Sequence, residues 1–352
     1  MAVQVSEIGL LKDGRKVRRY TLTNANGTKA SFTDLGAIWL TMEVKDKNGV
    51  VRDVILGNDD PETLYRNPGH MGEAVGRNAN RIAKASFTLN GKEYPLTVND
   101  GGENNLHSGT DYWRMRTWEA EYDNAGLGSY VMFSLHSPDG DQGFPGNADV
   151  SVTYTLSDDD ALSIHYQAVA DQDTVFNMTN HAYFNLNGHD SGDATNQIVW
   201  INADYYTPAN SISIPYGSID QVQGTPMDFT TAKPIRRDIA QGFDQLKFGC
   251  GYDHNFVLND FDGNERLVAT AFAEESGIRM SVYTDLEGMQ FYTGNHLTED
   301  VPGKNGVRYC ARSGYCFETQ HYPDNLHKEN WPSSIVKAGD SYDTTTVYKF
   351  EH

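Results

Sequence analysis

Apolar and polar residues alternate along several stretches of this chain, and the clearest example lies near its middle. Leu162, Ile164, Tyr166 and Ala168 are each separated from the next by one polar residue. A period of two predicts a strand with one buried face. The preceding stretch "VSVTYTL" predicts its partner strand, with the turn between them at 158–160.

Similar strand signals recur at three other places. "ASFTLNGKEYPLTV" predicts a hairpin around Asn90-Gly91, the strongest short hairpin signal. "LVATAFAEESGIRMSVYTD" predicts two strands that meet at Ser276-Gly277, and "TTTVYKFEH" predicts a final strand. The helical signal is weak, and "DPETLYRN" predicts at most one short helix. Many strands joined by short turns predict an all-β fold, either a large antiparallel sandwich or a barrel.

No internal boundary is visible in the sequence. The chain has 352 residues without a low-complexity linker or a repeat of fixed period. Because all-β sandwiches can exceed about 200 residues as one unit, we expect a single domain over 1–352. The 20 tyrosines and 15 phenylalanines also favour strands. No G-x-G-x-x-G follows a predicted strand, which disfavours a dinucleotide-binding domain.

The formal net charge of −20 limits the partners of the protein. Such an acidic chain repels phosphate backbones and anionic membranes. We therefore expect neither nucleic acid nor a membrane as a partner. A neutral small molecule fits this charge, whereas an anionic substrate would need a local basic pocket.

Three features predict a cytoplasmic protein. The N-terminal stretch "MAVQVSEIGLLKDGRKVRRY" has no apolar core of signal-peptide length. No window approaches eighteen apolar residues, so no transmembrane helix is predicted. Cys250, Cys310 and Cys316 are odd in number and lack a disulfide or zinc-site pattern, which suits a reducing compartment.

Five short segments combine planar polar side chains with aromatic ones. They are "GRNANRIAKASF", "GGENNLHSG", "NMTNHAYFNLNG", "YDHNFVL" and "CFETQHYPDNLH". Carboxylates and amides pair well with hydroxyls, and aromatic faces cover C–H groups, so these segments together suit a neutral polyhydroxylated ligand. Taken singly, each has a plainer interpretation. The asparagines fit turns, Arg81 fits a surface ion pair, and Glu318 fits an exposed strand end.

Metal and serine chemistry are both disfavoured. His181 and His189 do not have helical ligand spacing, and neither H-E-x-x-H nor C-x-x-C occurs. No G-x-S-x-G marks a nucleophilic serine. We therefore expect no metal and no covalent serine intermediate.

The polar segments and their neighbours resemble the aldose 1-epimerases, or galactose mutarotases. "NMTNHAYFNLNG" matches the active-site pattern of that family. The motifs "GRNANRI", "NNLHSG", "GDQGFPGNADVSVTYTL", "GTPMDF", "YDHNFVL", "MQFYTGN" and "FETQHYPDNLH" follow the family order along nearly the whole chain. The resemblance implies a β-sandwich of the galactose mutarotase type, the supersandwich. It also implies a single catalytic domain that interconverts α- and β-aldoses such as galactose and glucose without a cofactor.

The resemblance also implies roles for individual residues. His181 corresponds to the general acid and Glu318 to the general base. Six residues occupy positions where the family binds sugar hydroxyls: Asn80, Arg81, His107, Tyr183, Asp253 and Gln290. Two departures lie next to His107, namely Ser108 and the stretch "TDYWRMRTW", and they bear on substrate preference.

The reaction explains why these two groups are needed. Ring opening removes a proton from the C1 hydroxyl and adds one to the ring oxygen, and each positioned acid or base contributes about 10²–10⁴-fold. We expect a neighbouring carboxylate to hold His181 protonated. Glu318 must ionise, so we expect it to be hydrogen-bonded rather than buried in apolar surroundings.

Two alternatives remain open. A hexose-6-phosphate 1-epimerase would need several arginines around a phosphate, and only Arg81 lies clearly in a pocket motif. A non-catalytic sugar-binding protein on the same fold would have lost the acid or the base, whereas His181 and Glu318 are both present.

Overall fold

The structure of the protein, a computed structural model, describes residues 3–125 and 128–352. Residues 1–2 and 126–127 of the expected single domain lie outside the described part. Within that part, the strands form three larger sheets and four two-stranded ones, and every strand pair is antiparallel.

The first sheet has five strands in chain order. They are β1 (Gln4–Leu10), β2 (Lys16–Thr23), β3 (Lys29–Thr33), β4 (Trp39–Lys45) and β5 (Val51–Asp53). The second sheet has nine described strands, in the spatial order β11 (Glu119–Ala125), β12 (Gly128–Ser137), β13 (Ala148–Leu156), β14 (Ala161–Ala170), β27 (Ser341–Glu351), β23 (Arg279–Thr284), β22 (Arg266–Phe272), β17 (Ile198–Ile201) and β20 (Lys233–Pro234).

The third sheet carries part of the functional site. Its spatial order is β19 (Asp220–Gln221), β18 (Tyr205–Tyr206), β21 (Asp253–Val257), β24 (Gly288–Tyr292) and β25 (Cys316–Gln320). The small sheets pair β6 (Ala74–Val75) with β16 (Thr179–Asn180), β7 (Arg81–Ile82) with β10 (Asn105–Leu106), β8 (Ser86–Leu89) with β9 (Lys92–Pro95), and β15 (Thr174–Val175) with β26 (Ile335–Val336).

The predicted hairpins are confirmed. Asn90 and Gly91 connect β8 to β9 with φ values of 52° and 76°. Positive φ at both positions is what a two-residue hairpin turn with the twist of the strands requires. β13 pairs with β14, and β22 pairs with β23 across the turn that contains Gly277.

The predicted short helix is also confirmed as α1 (Pro61–Arg66), and a second one, α2 (Asp244–Phe248), was not foreseen. Asp60 caps α1 by accepting a hydrogen bond from the backbone N–H of Thr63 at 2.9 Å. The helix ends at Asn67, which adopts a left-handed conformation. The Asn67 side chain then bonds both backbone groups of Met71, which fixes the loop between them.

One large hydrophobic cluster lies between the sheets. It contains Phe32 from the first sheet, Tyr154 and Tyr348 from the second, and Phe291 and Phe317 from the third. Because the strand order of each larger sheet is linear, the sheets pack as a sandwich and do not close as a barrel. The expected all-β sandwich is therefore confirmed. Among the described residues, no helix is long and apolar enough to cross a membrane.

Candidate active site

A cavity of about 380 Å³ collects the polar segments that the sequence singled out. All eight residues with an expected role line it: Asn80, Arg81, His107, His181, Tyr183, Asp253, Gln290 and Glu318. The structure thus brings together side chains from positions 80 to 318 of the chain. The histidines that follow Asp253 and Glu318 in the same segments, His254 and His321, are not among the lining residues.

The third sheet places three of these side chains by strand register. Glu318 on β25 lies directly opposite Gln290 on β24. Opposed residues in an antiparallel pair point to the same face, so both side chains reach the cavity. Asp253 at the start of β21 is the diagonal neighbour of Gln290, whose amide Nε2 donates to Asp253 Oδ1 at 2.7 Å. Gln290 therefore orients the carboxylate of Asp253.

The segment that carries His181 is neither an exposed turn nor a long strand. It is buried throughout, and its pairing is short: β16 pairs with β6, and Phe184 forms single bridges to Ile55 and Tyr315. The backbone N–H of His181 donates to the carbonyl of Glu73 at 3.1 Å, and its own carbonyl accepts from Gly72 at 2.9 Å. These bonds hold the main chain of His181 against a second segment.

The asparagines around His181 satisfy buried backbone groups. Asn180 donates to the carbonyl of Gly72 at 2.9 Å, and Asn185 donates to the carbonyl of Ser313 at 2.9 Å. The side-chain oxygen of Asn177 accepts from the backbone of His321 at 2.8 Å. These asparagines therefore fix the main chain on both sides of His181.

His181 and Glu318 face each other inside the protein. His181 Nε2 lies 3.7 Å from Glu318 Oε2, and their side chains are 7% and 3% exposed. That separation is too long for a direct hydrogen bond. The ring of Tyr183 lies 5.0 Å from that of His181, and both residues line the cavity.

The electrostatic setting of this pair corrects two expectations. Glu318 Oε2 is buried without a hydrogen-bond partner among the described residues. Burial, with the charge of Asp253, raises the pKa of Glu318 well above its usual range. Burial, with the neighbouring His70, lowers the pKa of His181 to about 3. The expected hydrogen-bonded carboxylate and protonated imidazole are therefore wrong, because desolvation penalises both charged forms.

His107 presents a proton to the cavity. The backbone N–H of Asn80 donates to His107 Nδ1 at 3.1 Å. Burial lowers the pKa of His107 well below its usual value, so the ring is neutral. A neutral ring that accepts at Nδ1 carries its hydrogen on Nε2. His107 can therefore donate a hydrogen bond to a ligand oxygen.

This tautomer bears on metal binding. The ligand atoms of His107, His181 and Glu318 all lie within 4.8 Å of one another. A metal ligand must offer a lone pair, whereas His107 offers an N–H. The chemistry of these three groups therefore disfavours a metal centre.

Arg81 both forms an ion pair and lines the cavity, which are the two roles that the sequence left open. Its Nε donates to Asp100 Oδ2 at 2.9 Å, so it forms an ion pair. Both partners nevertheless line the cavity. Asn80 supports this arrangement, because its Oδ1 accepts from the backbone N–H of Arg81 at 2.8 Å.

Sequence reasoning missed a buried group beside the acid–base pair, formed by His70, Glu73 and Arg114. His70 Nδ1 lies 2.6 Å from Glu73 Oε1, and Arg114 Nη1 lies 3.2 Å from Glu73 Oε2. No motif marks His70, but Arg114 belongs to the stretch "TDYWRMRTW" that departs from the family pattern. That departure was the one feature of the sequence that could have pointed to this group.

The other departure, Ser108, has a scaffolding position. Its hydroxyl accepts from the backbone N–H of Asn78 at 2.8 Å and donates to the Asn78 carbonyl at 3.0 Å. Ser108 is buried and is not among the lining residues. It therefore ties together the two loops that present Asn80 and His107.

Comparison with known protein families identifies the family of this chain. A profile of the family described as "Aldose 1-epimerase" matches residues 18–349. The chain belongs to the aldose 1-epimerase family. The enzyme is accordingly a mutarotase-type isomerase, as the sequence predicted.

Individual aldose 1-epimerases agree with this assignment. The chain is 39% identical to an aldose 1-epimerase from Haemophilus influenzae over 342 residues, covering 96% of this chain and 97% of the relative. It is 41% identical to a galactose mutarotase from Bos taurus over 316 residues, covering 90% and 89% of the two chains. The solved galactose 1-epimerase from Lactobacillus acidophilus superposes with a TM-score of 0.86 at 26% identity, covering 99% of each chain.

Proposed function

We propose that the enzyme opens and recloses the ring of a neutral hexose such as galactose or glucose, with His181 and Glu318 as the acid–base pair. The observation that carries this proposal is the buried pair itself, 3.7 Å apart in a polar cavity. The base takes the proton of the C1 hydroxyl while the acid protonates the ring oxygen. Rotation about the C1–C2 bond then exposes the other face of the aldehyde, and reclosure gives the other anomer.

The charge states that burial favours for His181 and Glu318 are compatible with these roles. Burial favours a neutral His181 and a protonated Glu318, so the pair shares one proton. The reaction also needs one proton on the pair. A substrate hydroxyl that donates to the unpaired Oε2 of Glu318 stabilises the carboxylate, because hydrogen bonding to the charged form lowers a carboxyl pKa.

We further propose that Asn80, Arg81, His107, Tyr183, Asp253 and Gln290 bind the hydroxyls of the sugar. His107 supplies an N–H donor, and Asp253 supplies a carboxylate acceptor that Gln290 holds in place. Tyr183 supplies an aromatic ring beside His181. Fixing the ring in one pose lets the acid and base meet the correct oxygens.

A phosphorylated hexose is a poorer candidate. Arg81 is the one arginine among the residues that line the described cavity, and it is already paired with Asp100. Asp253 and Glu318 add carboxyl groups to the same cavity. A non-catalytic sugar-binding protein is also a poorer candidate, because both members of the acid–base pair are present and face each other.

We also propose that the chain forms one domain and that the protein is cytoplasmic. A core cluster shared by the three larger sheets supports one domain over 1–352. Cys250, Cys310 and Cys316 are free thiols, which supports a reducing compartment such as the cytoplasm. The absence of nucleic acid, membrane and cofactor partners stays a prediction from the sequence.

Polarimetry of freshly dissolved α-galactose tests the catalytic roles. We expect His181→Asn and Glu318→Gln each to lower kcat by about 10²–10⁴-fold, since each removes one proton-transfer group. His165→Asn is the matched control, because His165 also pairs with a carboxylate, that of Asp343, and neither residue is among those that line the cavity. Near-normal turnover by either active-site variant, with an intact circular dichroism spectrum, would refute the assignment. Parallel assays with glucose and galactose 6-phosphate distinguish neutral from phosphorylated substrates.

A further inference from the structure

A third imidazole, that of His70, lines the cavity beside the two that were expected. Its ring lies 4.8 Å from the ring of His107 and 5.7 Å from that of His181. Its side chain is 16% exposed, so it is accessible from the cavity. The proposed mechanism does not use it.

The direction of the hydrogen bond at His70 Nδ1 is set by Glu73, which also forms an ion pair with Arg114. The cations of His70 and Arg114 outweigh the effect of burial and lower the pKa of Glu73 to about 2, so Glu73 is ionised and can only accept. The 2.6 Å contact between His70 Nδ1 and Glu73 Oε1 is therefore donated by His70. Arg114 Nη1 lies 3.2 Å from the other carboxylate oxygen and approaches the same side.

This anchoring leaves one nitrogen of His70 for a ligand. The side-chain contacts of His70 to polar groups of the described residues all involve Nδ1. Nε2, on the opposite side of the ring, has no such partner. Nε2 is therefore the atom through which the His70 side chain can form a hydrogen bond with a ligand oxygen.

His107 has the reverse arrangement. Its Nδ1 accepts from the backbone of Asn80, and its Nε2 carries the hydrogen. The two neighbouring rings therefore each leave Nε2 available to a ligand in the same cavity, and that of His107 is a donor. A hydroxyl group, which donates one hydrogen and accepts others, is complementary to such a pair.

We propose that His70 is a substrate-binding residue whose Nε2 forms a hydrogen bond with one hydroxyl of the sugar while His107 donates to the same or the adjacent hydroxyl. The Glu73–Arg114 ion pair is the positioning element that fixes the His70 ring. This inference rests on the proposed hexose substrate. It assigns a sugar contact to a residue that the sequence motifs do not mark.

The test measures coupling between the side chain and individual hydroxyls. The variants are His70→Phe, which keeps a ring between its neighbours but removes both nitrogens, and His70→Gln, which retains a polar side chain. His136→Gln is the matched control, because His136 also pairs with a carboxylate, Asp149 at 2.8 Å, but lies on the surface. The substrates are galactose and its 2-, 3-, 4- and 6-deoxy derivatives.

We expect His70→Phe to lower kcat/KM for galactose about tenfold, the effect of one lost hydrogen bond in the complex. For one deoxy sugar the same variant should cause no further loss, because the hydroxyl that contacts His70 is already missing. For the other three deoxy sugars, His70→Phe should lower kcat/KM about tenfold. His70→Gln gives the same coupling pattern if His70→Phe fails to fold, and His136→Gln should behave as wild type.

Two results would overturn the proposal. One is an unchanged kcat/KM for galactose in a folded His70 variant. The other is an equal loss for all four deoxy sugars, which would mean that the ring acts through packing alone. If the wild-type enzyme itself fails to interconvert anomers, the proposed function fails. The same sugar panel, measured as dissociation constants by calorimetry, then still decides the role of His70.

Discussion

Two buried carboxyl groups beside the cavity are expected to respond in opposite ways to the same substitution. The pKa of Glu318 is raised by burial, whereas that of Glu73 is lowered to about 2 because His70 and Arg114 outweigh burial. In Glu318 the folded protein favours the neutral form. In Glu73 it favours the charged form. We therefore compare Glu318→Gln with Glu73→Gln.

Glu318→Gln should stabilise the protein at pH 8 while it abolishes most activity. A folded pKa above the unfolded one costs stability as pH rises beyond the unfolded carboxyl pKa of about 4.3. Gln keeps the shape of the side chain but cannot ionise, so the variant escapes this pH-linked cost, for which we take about 1–3 kcal/mol, the usual cost of one poorly solvated buried polar group. For 352 residues this corresponds to a rise in Tm of about 1–4 °C. The gain should shrink toward pH 4.

Glu73→Gln should destabilise the protein under the same conditions. A drop in pKa from 4.5 to about 2 represents about 3 kcal/mol of stability above the unfolded pKa. The expected fall in Tm is about 4 °C at pH 8. That contribution is lost as pH falls through about 2, so the variant should approach wild type in strong acid.

Thermal melts followed by circular dichroism between pH 4 and pH 8 provide the measurement, and polarimetry reports activity on the same samples. A fall in Tm for Glu318→Gln at pH 8 would refute the reasoning about its burial. So would a difference from wild type that does not change with pH. Equal responses of the two variants would show that their environments are alike.

Three further predictions concern other parts of the molecule. Arg77 is fully buried and all three nitrogens of its guanidinium donate hydrogen bonds, to six acceptor oxygens in total, so Arg77→Met should cost about 3–5 kcal/mol in urea unfolding, whereas the exposed Arg279→Met should cost little. Asp253→Asn should lower kcat/KM about tenfold, and an unchanged value would remove Asp253 from the sugar site. Because His107 offers an N–H, prolonged treatment with EDTA should leave the rate unchanged, and a loss reversed by zinc would contradict its assigned tautomer.

The fold could be predicted in outline because its signals are local. The period-two alternation in β14 reflects one buried face, and the turn at Asn90-Gly91 depends only on two residues that tolerate positive φ. The number and order of strands in each sheet could not be predicted. β27 lies between β14 and β23, which are far from it in sequence, and only long-range packing sets that order.

The chemistry of the site divides in the same way. The sequence alone determined which residue types are available and, through the family motifs, that His181 and Glu318 are the candidate acid and base. Their charge states were decided by tertiary structure. Burial acts on each group from all sides, so the expected protonated imidazole and hydrogen-bonded carboxylate were reversed by desolvation that no motif encodes.

His70 shows what only the fold could supply. Nothing in its sequence surroundings distinguishes it from a histidine at the end of a short helix. The direction of its Nδ1 hydrogen bond is set by Glu73, three residues away, and by Arg114, which pairs with Glu73 and lies 41 positions beyond it in the chain. The sequence therefore determined the strands, the turns and the catalytic residue types, because these depend on local pattern. The tertiary structure decided protonation and hydrogen-bond direction, because these depend on which residues, distant in sequence, pack around a side chain and exclude water from it.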